Sequence, residues 1–291
     1  MMNLTPRRSA LYIPCLNERA INKARTLPAD MLLFDLEDSI APNSKDEARL
    51  KIVEELNKGG FGSREQVLRI NGKQTPFWHD DLKVLNRCTP DGVLIPKIND
   101  GRDVEITSGA VLEHSRNKDL GIWLMIETPG SISNINDIGL QKKRLDNLQG
   151  FVIGTNDLVK DSGVIPGENR KYLVPWLMAV VATAKAYGLD VVDGVFNNIS
   201  DPKGFIEEAR SGREMGMSGK SLIHPNQVNP TNQVFSPSEE EIKEAQKIVD
   251  AFSTKESEGK GVIVVEGKMV ERLHLEMARS VLIKAQSGKQ L

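Results

Sequence analysis

The run LLFDL at residues 32–36 decides the fold, because its residues are apolar at consecutive positions up to an acid near its end. Three more runs of this kind are VLIP at 93–96, WLMIE at 123–127 and FVIG at 151–154. A strand with one face in water alternates apolar and polar residues, whereas a strand buried on both faces is apolar throughout. These runs therefore predict the parallel strands of an α/β protein, with helices covering both sides of the sheet.

Strand-like runs and amphipathic helical segments alternate along most of the chain. The predicted strands are residues 10–14, 31–36, 67–71, 92–97, 122–127, 150–154, 190–195 and 219–224. The predicted helices between them are residues 17–26, 45–57, 76–85, 102–116, 131–139, 172–187 and 202–212. About eight such alternations close a (β/α)8 TIM barrel, whereas an open doubly wound sheet needs fewer strands. We therefore predict an α/β protein with a TIM barrel.

The composition changes after the last predicted strand. Residues 225–237 are rich in Pro, Asn and Gln and predict a linker, which a charged helix at 238–253 and a final helix at 269–285 follow. A segment of this size cannot form its own core, so we expect it to pack on the barrel or on an adjacent subunit. The predicted domains are residues 1–228 for the barrel and residues 229–291 for a C-terminal helical extension.

Charge and composition exclude several classes of partner. The chain has 38 Lys and Arg against 40 Asp and Glu, a formal net charge of −2, which provides no basic surface for nucleic acid or an anionic membrane. No apolar stretch approaches the roughly 18 residues of a membrane-spanning helix, and the N-terminus lacks the pattern of a secretory signal. The 2 cysteines have no metal-ligand spacing. We expect a cytoplasmic protein that binds neither nucleic acid nor membrane.

Ionisable and polar residues collect where the predicted strands end, which is the face that carries the active site in TIM barrels. They are Asp35, Glu37, Asp38, Arg69, Asn71, Lys97, Glu127, Asp193 and His224, with Asn156 and Asp157 in the loop after strand 6. Charged side chains are rarely buried without a partner, so a group of this size predicts a pairing network or a bound ligand. We expect a functional site at this end of the barrel.

Glu127 and Asp157 are the candidate ligands of a divalent cation, because they follow neighbouring predicted strands and their carboxylates can converge. Mg²⁺ prefers one or two protein carboxylates and completes its coordination with water and substrate oxygens. The 4 histidines show no zinc-ligand spacing. Arg69 beside Mg²⁺ would place positive charge where an enolate oxygen develops, which is the chemistry of carbon–carbon bond cleavage or formation next to a carbonyl.

Motifs along the whole chain resemble one family of enzymes. They are RRSALYIP at 7–14, FDLEDSIAPNSKDEAR at 34–49, RIN at 69–71, IPK at 95–97, MIETPGSISNI at 125–135, GTNDL at 154–158, GKSLIHPNQV at 219–228 and EGKMVE at 266–271. In this order they resemble the citrate lyase beta subunit family, which includes malyl-CoA and citramalyl-CoA lyases. The resemblance implies a barrel of the phosphoenolpyruvate/pyruvate type that assembles as a homotrimer or hexamer.

The resemblance also implies roles for residues in the matching motifs. Mg²⁺ would be held by Glu127 and Asp157, and Arg69 would bind the oxygen of a keto acid or enolate. The acids of the DLED motif would position that arginine and metal-bound water, and Lys97 would orient the substrate or support the structure. The candidate catalytic residues are Arg69, Glu271, Glu37 and Asp35, and the candidate substrate-binding residues are Arg69, Glu127, Asp38 and Lys97.

The tail motif supplies the candidate acid Glu271. In the acyl-CoA lyases that the chain resembles, the tail closes over the active site of an adjacent subunit and delivers an aspartate, whereas the matching positions here are Glu266 and Glu271. The extra methylene matters because a displacement of about 1 Å can lower a rate on the order of 10²-fold. Glu271 is expected to protonate the enolate of acetyl-CoA; the alternative is an acid that only begins a helix.

These observations predict a Mg²⁺-dependent carbon–carbon lyase of a 3-hydroxyacyl-CoA thioester. The favoured substrate is (S)-citramalyl-CoA, which would give pyruvate and acetyl-CoA, and coenzyme A recognition is expected from basic residues at the barrel rim such as Lys23 and Arg25. Three alternatives stay open. The chain could be the citryl-cleaving subunit of a citrate lyase complex, a malyl-CoA lyase, or a protein that binds coenzyme A esters or 2-oxo acids without turnover.

Overall fold

In the computed structural model, which describes residues 5–254 and 260–287, eight parallel strands pair in chain order and close into a barrel. The strands are β1 Ser9–Pro14, β2 Met31–Asp35, β3 Glu65–Arg69, β4 Gly92–Ile95, β5 Gly121–Ile126, β6 Leu148–Ile153, β7 Asp190–Asp193 and β8 Gly219–Leu222. β8 pairs with β1, which leaves no free edge in this sheet. The predicted TIM barrel is confirmed, and most strands end a residue or more before their predicted ends.

The helices that cover the barrel follow the strands along the chain. They are α1 Glu18–Ala24, α2 Lys45–Lys58, α3 Trp78–Val84, α4 Gly101–His114, α5 Pro129–Ser133, α6 Ile135–Leu140, α7 Thr155–Ser162, α8 Val174–Ala186, α9 Pro202–Glu214 and α10 Val228–Phe235. Two of them, α7 and α10, were not predicted. The predicted helix at 131–139 is instead the two short helices α5 and α6.

The loop predicted after β6 is wrong, since Asn156 and Asp157 lie in the first turn of α7. The eight residues TNDLVKDS contain only two strongly apolar side chains, too few to produce a helical pattern in the sequence. Gly163 ends the helix in the left-handed conformation at φ 73°, which glycine adopts without strain. Asp157 therefore occupies a helix N-terminus, where a carboxylate is stabilised by the helix dipole.

The linker predicted at 225–237 is wrong as well, because most of it is helical. Pro225 begins a single 3-10 turn that the His224 side chain caps, and α10 follows directly. Proline is tolerated in the first turn of a helix, where its missing N–H has no partner to lose. The Asn232 side chain donates a 2.6 Å hydrogen bond to the Pro28 carbonyl, which fastens α10 to the barrel.

Consecutive apolar residues are needed because each strand is buried on both faces. Every residue of the run 32–36 is 2% exposed or less. One set of side chains fills the barrel and the other set packs under the helices. The buried cluster at the centre consists of Ala10, Met31, Leu33, Val67, Leu94, Trp123, Met125, Val152 and Val192.

Trp123 and Arg7 close the barrel at the end where the strands begin. The indole Nε1 of Trp123 donates to Glu65 Oε1 at 3.0 Å, and the Arg7 guanidinium carbon lies 4.7 Å from the ring centroid. Arg7 also pairs with Glu65 and Asp190, each at 2.8 Å. These contacts tie the beginnings of three strands together, at the end opposite the predicted site.

The chain divides into two compact units. One is Arg7–Asn232, and the other contains the described residues 5–6 and those from Gln233 onward. The predicted domains divide at residue 228. The second unit contains α11 Glu239–Phe252, the antiparallel strands β9 Val262–Val265 and β10 Lys268–Glu271, and α12 Arg272–Ser287. The final helix begins at Arg272 rather than at residue 269, because the preceding residues pair with β9. Residues 1–4, 255–259 and 288–291 of the predicted domains lie outside the described residues.

No helix in the described part of the chain combines the length and apolarity that crossing a membrane requires.

Trp123→Ala tests the packing inside the barrel. The substitution removes a fully buried ring and leaves the Glu65 carboxylate without the indole donor, so we expect the free energy of unfolding to fall by about 3–5 kcal/mol. Chemical denaturation of both proteins measures this difference. Ile165→Ala is the control, because that side chain is 80% exposed and its loss should change the free energy by about 0.5 kcal/mol or less. Equal small losses in both variants would contradict this account of the core.

Candidate active site

A cavity of about 320 Å³ lies at the carboxyl ends of the barrel strands. Side chains at or just after the ends of β2, β3, β5 and β6 line it, together with residues of β1 and β8 and the segments after β7 and β8. The predicted site residues in its wall are Asp35, Asp38, Arg69, Glu127, Asn156 and Asp157. Glu37 and Lys97 contact members of this group. The sequence therefore identified most of the charged residues that surround the cavity.

Arg69 and Asp35 form the central ion pair. The guanidinium binds the carboxylate through two contacts, Nε to Oδ1 at 2.7 Å and Nη2 to Oδ2 at 2.8 Å. Burial opposes ionisation of Asp35, but Arg69, together with hydrogen bonds from Ser39 and from the Glu37 backbone, holds its pKa below the ordinary value. The Tyr12 ring lies beside the pair, with its centroid 4.8 Å from the guanidinium carbon. Arg69 is thus a fixed positive charge in the cavity wall.

Glu37 is a buried acid next to that charge. Burial raises the pKa of its carboxyl to about 8, and the neighbouring acids Glu127, Asp38 and Asp35 add to the rise against the opposing effect of Arg69. Its Oε2 lies 3.0 Å from Arg69 Nη1 but has no aligned hydrogen bond. A carboxyl with a pKa in this range can both give and take a proton near neutral pH.

Lys45 holds the loop that carries Glu37, although it was not among the site residues predicted from the sequence. Its buried ammonium donates to the carbonyls of Leu36 and Glu37, each at 2.6 Å, and to Asn71 Oδ1 at 2.9 Å. The spacing along α2 could have identified it. Lys45 precedes Ala48, Arg49 and Ile52 by three, four and seven residues, which places it on the same buried face of the helix. A lysine on the buried face of a helix needs acceptors, and here two of them are backbone atoms of the DLED motif.

Glu127, Asp157 and Lys97 form a second charged group. The Lys97 Nζ lies 2.8 Å from Asp157 Oδ2 and 3.6 Å from Glu127 Oε1. The backbone N–H of Lys97 donates to the same Glu127 oxygen at 2.8 Å, from a left-handed conformation at φ 56°. Burial raises the pKa of Glu127 to about 7, against the effect of Lys97. Burial opposes ionisation of Asp157 too, but the Lys97 ammonium holds its pKa below the ordinary value.

The two carboxylates fit a hard divalent cation. Glu127 Oε2 is buried and has no hydrogen-bond partner, so an acceptor oxygen is available beside Asp157. Mg²⁺ binds through one or two carboxylates and fills its remaining positions with water and substrate oxygens. Groups of three or more His, Cys, Asp or Glu residues that could hold a metal are absent from the described residues, which disfavours a closed zinc site.

Three other polar residues predicted near the strand ends lie outside the cavity wall. Asp193 is fully buried and pairs with Lys220 at 3.0 Å and with Arg170 at 2.8 Å. These two cations compensate its negative charge, so it has a structural role. Asn71 binds Asp81 and Lys45. His224 accepts a hydrogen bond from the Asn226 backbone at 3.2 Å through Nδ1, as a cap.

Glu271 lies in the second compact unit, as the last residue of β10 immediately before α12. Its backbone N–H donates to His274 Nδ1 at 3.0 Å. Glu266, the other acid of the tail motif, has an exposed ion pair with Lys247 at 2.6 Å. The catalytic role of Glu271 remains a prediction.

A second cavity of about 320 Å³ lies between β1 and α1 and shares Tyr12, Pro14 and Ile223 with the first. Arg19 and Lys23 line it and give it positive charge. Arg25, expected at the rim, instead pairs with Glu55 at 2.6 Å and stacks on Phe61, with the guanidinium carbon 4.5 Å from the ring centroid.

Comparison with known proteins gives a consistent result. The model of the HpcH/HpaI aldolase/citrate lyase family matches residues 8–225. A (3S)-malyl-CoA thioesterase of Cereibacter sphaeroides is 40% identical over 282 residues, covering 97% of this chain and 95% of the relative. An L-malyl-CoA/beta-methylmalyl-CoA lyase of the same organism is 32% identical over 305 residues, with the same coverage. The structure of CitE of Mycobacterium tuberculosis, in complex with magnesium, acetoacetate and coenzyme A, has a TM-score of 0.77 and 25% identity, covering 97% of this chain and 98% of that one.

Glu37→Gln tests the buried acid through the pH dependence of stability. Because the pKa of Glu37 is raised from 4.5 to about 8 in the folded protein, the folded state binds more protons in this window and its stability falls as the pH rises. Glutamine stays neutral, so the variant should gain stability relative to the wild type between pH 5 and about pH 9. Denaturation of both proteins across this range measures the gain. Glu47→Gln, which removes an exposed carboxylate of α2, is the control and should show no such gain. A constant difference between Glu37→Gln and the wild type would contradict the raised pKa.

Proposed function

Because the chain belongs to the HpcH/HpaI aldolase/citrate lyase family, we propose that it cleaves a carbon–carbon bond in a coenzyme A thioester whose carbon 3 carries a hydroxyl and a carboxylate. The products are a 2-oxo acid and acetyl-CoA. The observation that carries this proposal is the meeting of Arg69 with the Glu127 and Asp157 carboxylates in one cavity wall. A fixed cation and a cation-binding carboxylate pair in one cavity suit a substrate that has several oxygens and becomes an enolate.

Glu127 and Asp157 would hold Mg²⁺ in this proposal. The magnesium bound to CitE of Mycobacterium tuberculosis supports it, as does the unpartnered Oε2 of Glu127. When bound, the cation supplies positive charge that stabilises the developing negative charge on the substrate oxygens.

The reaction then needs two proton movements and one broken bond. Glu37 in its ionised form takes the proton of the 3-hydroxyl, and the carbon–oxygen bond becomes a carbonyl. The electron pair of the bond between carbons 2 and 3 moves into the thioester, forming the enolate of acetyl-CoA. Arg69, which Asp35 holds in place, binds a substrate oxygen as its charge changes. Glu271, from an adjacent subunit of a homotrimer or hexamer, then protonates carbon 2.

The acyl group is a short hydroxy acid. Both Cereibacter sphaeroides relatives are named for malyl-CoA, so we infer (3S)-malyl-CoA as the first substrate to test. (S)-Citramalyl-CoA, the substrate expected from the sequence, adds one methyl group at carbon 3. A methyl group changes binding by only about 1–3 kcal/mol, so both thioesters belong in the same comparison.

The coenzyme A moiety would use the second cavity. Arg19 and Lys23 place positive charge there, and the shared wall at Tyr12 and Ile223 puts it next to the proposed reaction site. Lysine and arginine bind phosphate oxygens through charge-assisted hydrogen bonds. We propose that these two side chains bind phosphate groups of the thioester substrate.

Hydrolysis of the same thioester is the second candidate function. The 40% identity to a (3S)-malyl-CoA thioesterase over nearly the whole chain favours it. So does Glu271, which stands where the acyl-CoA lyases that the chain resembles carry an aspartate. In this reaction water adds to the thioester carbonyl and the coenzyme A thiol leaves, while the bond between carbons 2 and 3 stays intact.

Product analysis with Mg²⁺ separates the two reactions. Purified protein is incubated with (3S)-malyl-CoA, (S)-citramalyl-CoA and citryl-CoA, and free thiol, 2-oxo acid and acetyl-CoA are measured. The lyase should release one 2-oxo acid for each thioester consumed, without free thiol, and EDTA should abolish the reaction. Arg69→Lys should lower kcat on the order of 10²-fold or more, as loss of a donor at a developing oxyanion does.

Other outcomes of this assay each select a different function. Release of free thiol without a 2-oxo acid would show that the protein is a thioesterase and not a lyase. Preference for citryl-CoA would favour the subunit of a citrate lyase complex. If the protein binds Mg²⁺ but leaves all three thioesters intact, it is a binding protein without turnover.

Glu271→Gln tests the tail acid. If Glu271 delivers the proton to carbon 2, the variant should lose about 10²–10⁴-fold in the rate of acetyl-CoA formation, since this is the contribution of a general acid. Glu266→Gln, five residues earlier in the same motif, is the matched control and should retain most of the activity. Full activity of Glu271→Gln would leave Glu271 as an acid at the beginning of α12 with no part in the reaction.

A further inference from the structure

Lys97 contributes two different groups to the Glu127 and Asp157 site. Its backbone N–H is fastened to Glu127 Oε1 at 2.8 Å. Its ammonium lies between the two carboxylates, 2.8 Å from Asp157 Oδ2 and 3.6 Å from Glu127 Oε1. The ammonium is therefore already a cation that both acids share.

We infer that Lys97 is an internal counter-ion that the divalent cation replaces: its ammonium compensates part of the negative charge of Glu127 and Asp157 in the metal-free protein, and metal binding expels it. This inference rests on the metal site of the proposed function. It assigns to Lys97 a role in setting the metal affinity and the stability of the metal-free enzyme.

Electrostatics requires a counter-ion in the metal-free state. Glu127 is fully buried, and a buried carboxylate is stable only when it is paired or protonated. Asp157 lies next to it and adds a second negative charge. The Lys97 ammonium is near enough to both oxygens to compensate part of this charge.

The same geometry makes the ammonium and a metal ion competitors. Mg²⁺ binds carboxylate oxygens at about 2.0–2.1 Å. An ion at that distance from both Asp157 and Glu127 would lie close to the ammonium, and two positive charges at such short range repel each other strongly. Lys97 is therefore expected to leave the carboxylates when the metal arrives.

Two further features distinguish this arrangement from a permanent ion pair. Glu127 Oε2 has no hydrogen-bond partner, so the ammonium leaves one buried acceptor unsatisfied that a bound cation could use. The side chains of Lys97 and Asp157 are each 22% exposed, so water and ions can reach the pair. By contrast, the buried lysine Lys220 is 0% exposed and has three acceptors within 3.0 Å.

The test compares metal affinity and stability in wild type, Lys97→Met and Lys160→Met. Lys97→Met removes the ammonium but keeps a residue of similar length, with the same backbone requirement at φ 56°. Lys160 is the matched control, since its Nζ lies 4.0 Å from Asp157 Oδ1 on the exposed side and not between the two acids. Calorimetric titration with Mg²⁺ gives the dissociation constant, and thermal unfolding in EDTA and in Mg²⁺ gives Tm.

We expect Lys97→Met to bind Mg²⁺ about tenfold more tightly, because no ammonium has to be expelled. Its Tm in EDTA should be lower than that of the wild type, and Mg²⁺ should raise it by more. Lys160→Met should stay near the wild type in all three measurements. If Lys97→Met does not fold in EDTA, it is prepared in Mg²⁺, and Lys97→Gln, which keeps a hydrogen-bond donor without the charge, is titrated after metal removal.

The inference is overturned if Lys97→Met binds Mg²⁺ as weakly as the wild type or more weakly, or if its Tm in EDTA is unchanged. An equal gain in Mg²⁺ affinity in Lys160→Met would also overturn it, because the loss of any nearby positive charge would then explain the effect. Absence of Mg²⁺ binding in all proteins would remove the metal site of the proposed function together with this inference. Binding by the wild type with no change in Lys97→Met would overturn the inference alone.

Discussion

The ion pair between Arg69 and Asp35 is the interaction on which the rest of the site depends. A guanidinium buried at the end of a barrel strand needs a carboxylate, and Asp35 supplies both oxygens from the neighbouring strand. With that charge compensated, Arg69 keeps one nitrogen directed at Glu37 and Asp38. The pair thereby holds the Arg69 guanidinium in the cavity wall without leaving an unpaired charge in the core, which would be costly.

Glu37 and Glu127 show how one cavity can contain acids of different strength. Both are buried among other carboxylates, and burial raises the pKa of each toward neutrality. Asp35 and Asp157 lie next to the same groups but have a cation within 2.8 Å, which keeps their pKa values low. The position of two cations thus determines which acids can exchange protons near neutral pH and which stay ionised.

Cleavage and hydrolysis of the thioester would use the same binding groups. This would explain how a thioesterase and a lyase can both be similar to this chain. In the proposed function, Arg69 and a cation held by Glu127 and Asp157 would bind oxygens of the acyl group, which is the same in both reactions. The outcome depends on whether an acid is positioned to protonate carbon 2 or a water molecule is positioned to add to the thioester carbonyl. If the tail acid Glu271 supplies that proton, as proposed, its chemistry would separate the two functions.

The sequence by itself determined the barrel and the residues around its cavity, because strands buried on both faces must be apolar and charges at their ends must face a common site. Eight strands and the members Asp35, Arg69, Glu127 and Asp157 could be predicted for this reason. Only the tertiary structure decided which charges pair. It showed that Asp157 lies in the helix α7, whose eight residues have too few apolar side chains to reveal a helical pattern in the sequence. It also showed that the Lys45 side chain donates to backbone carbonyls of the DLED motif. Asp193 forms a buried ion pair with Lys220, outside the cavity wall. Pairing depends on distances between residues far apart in the chain, and spacing along a sequence does not contain those distances.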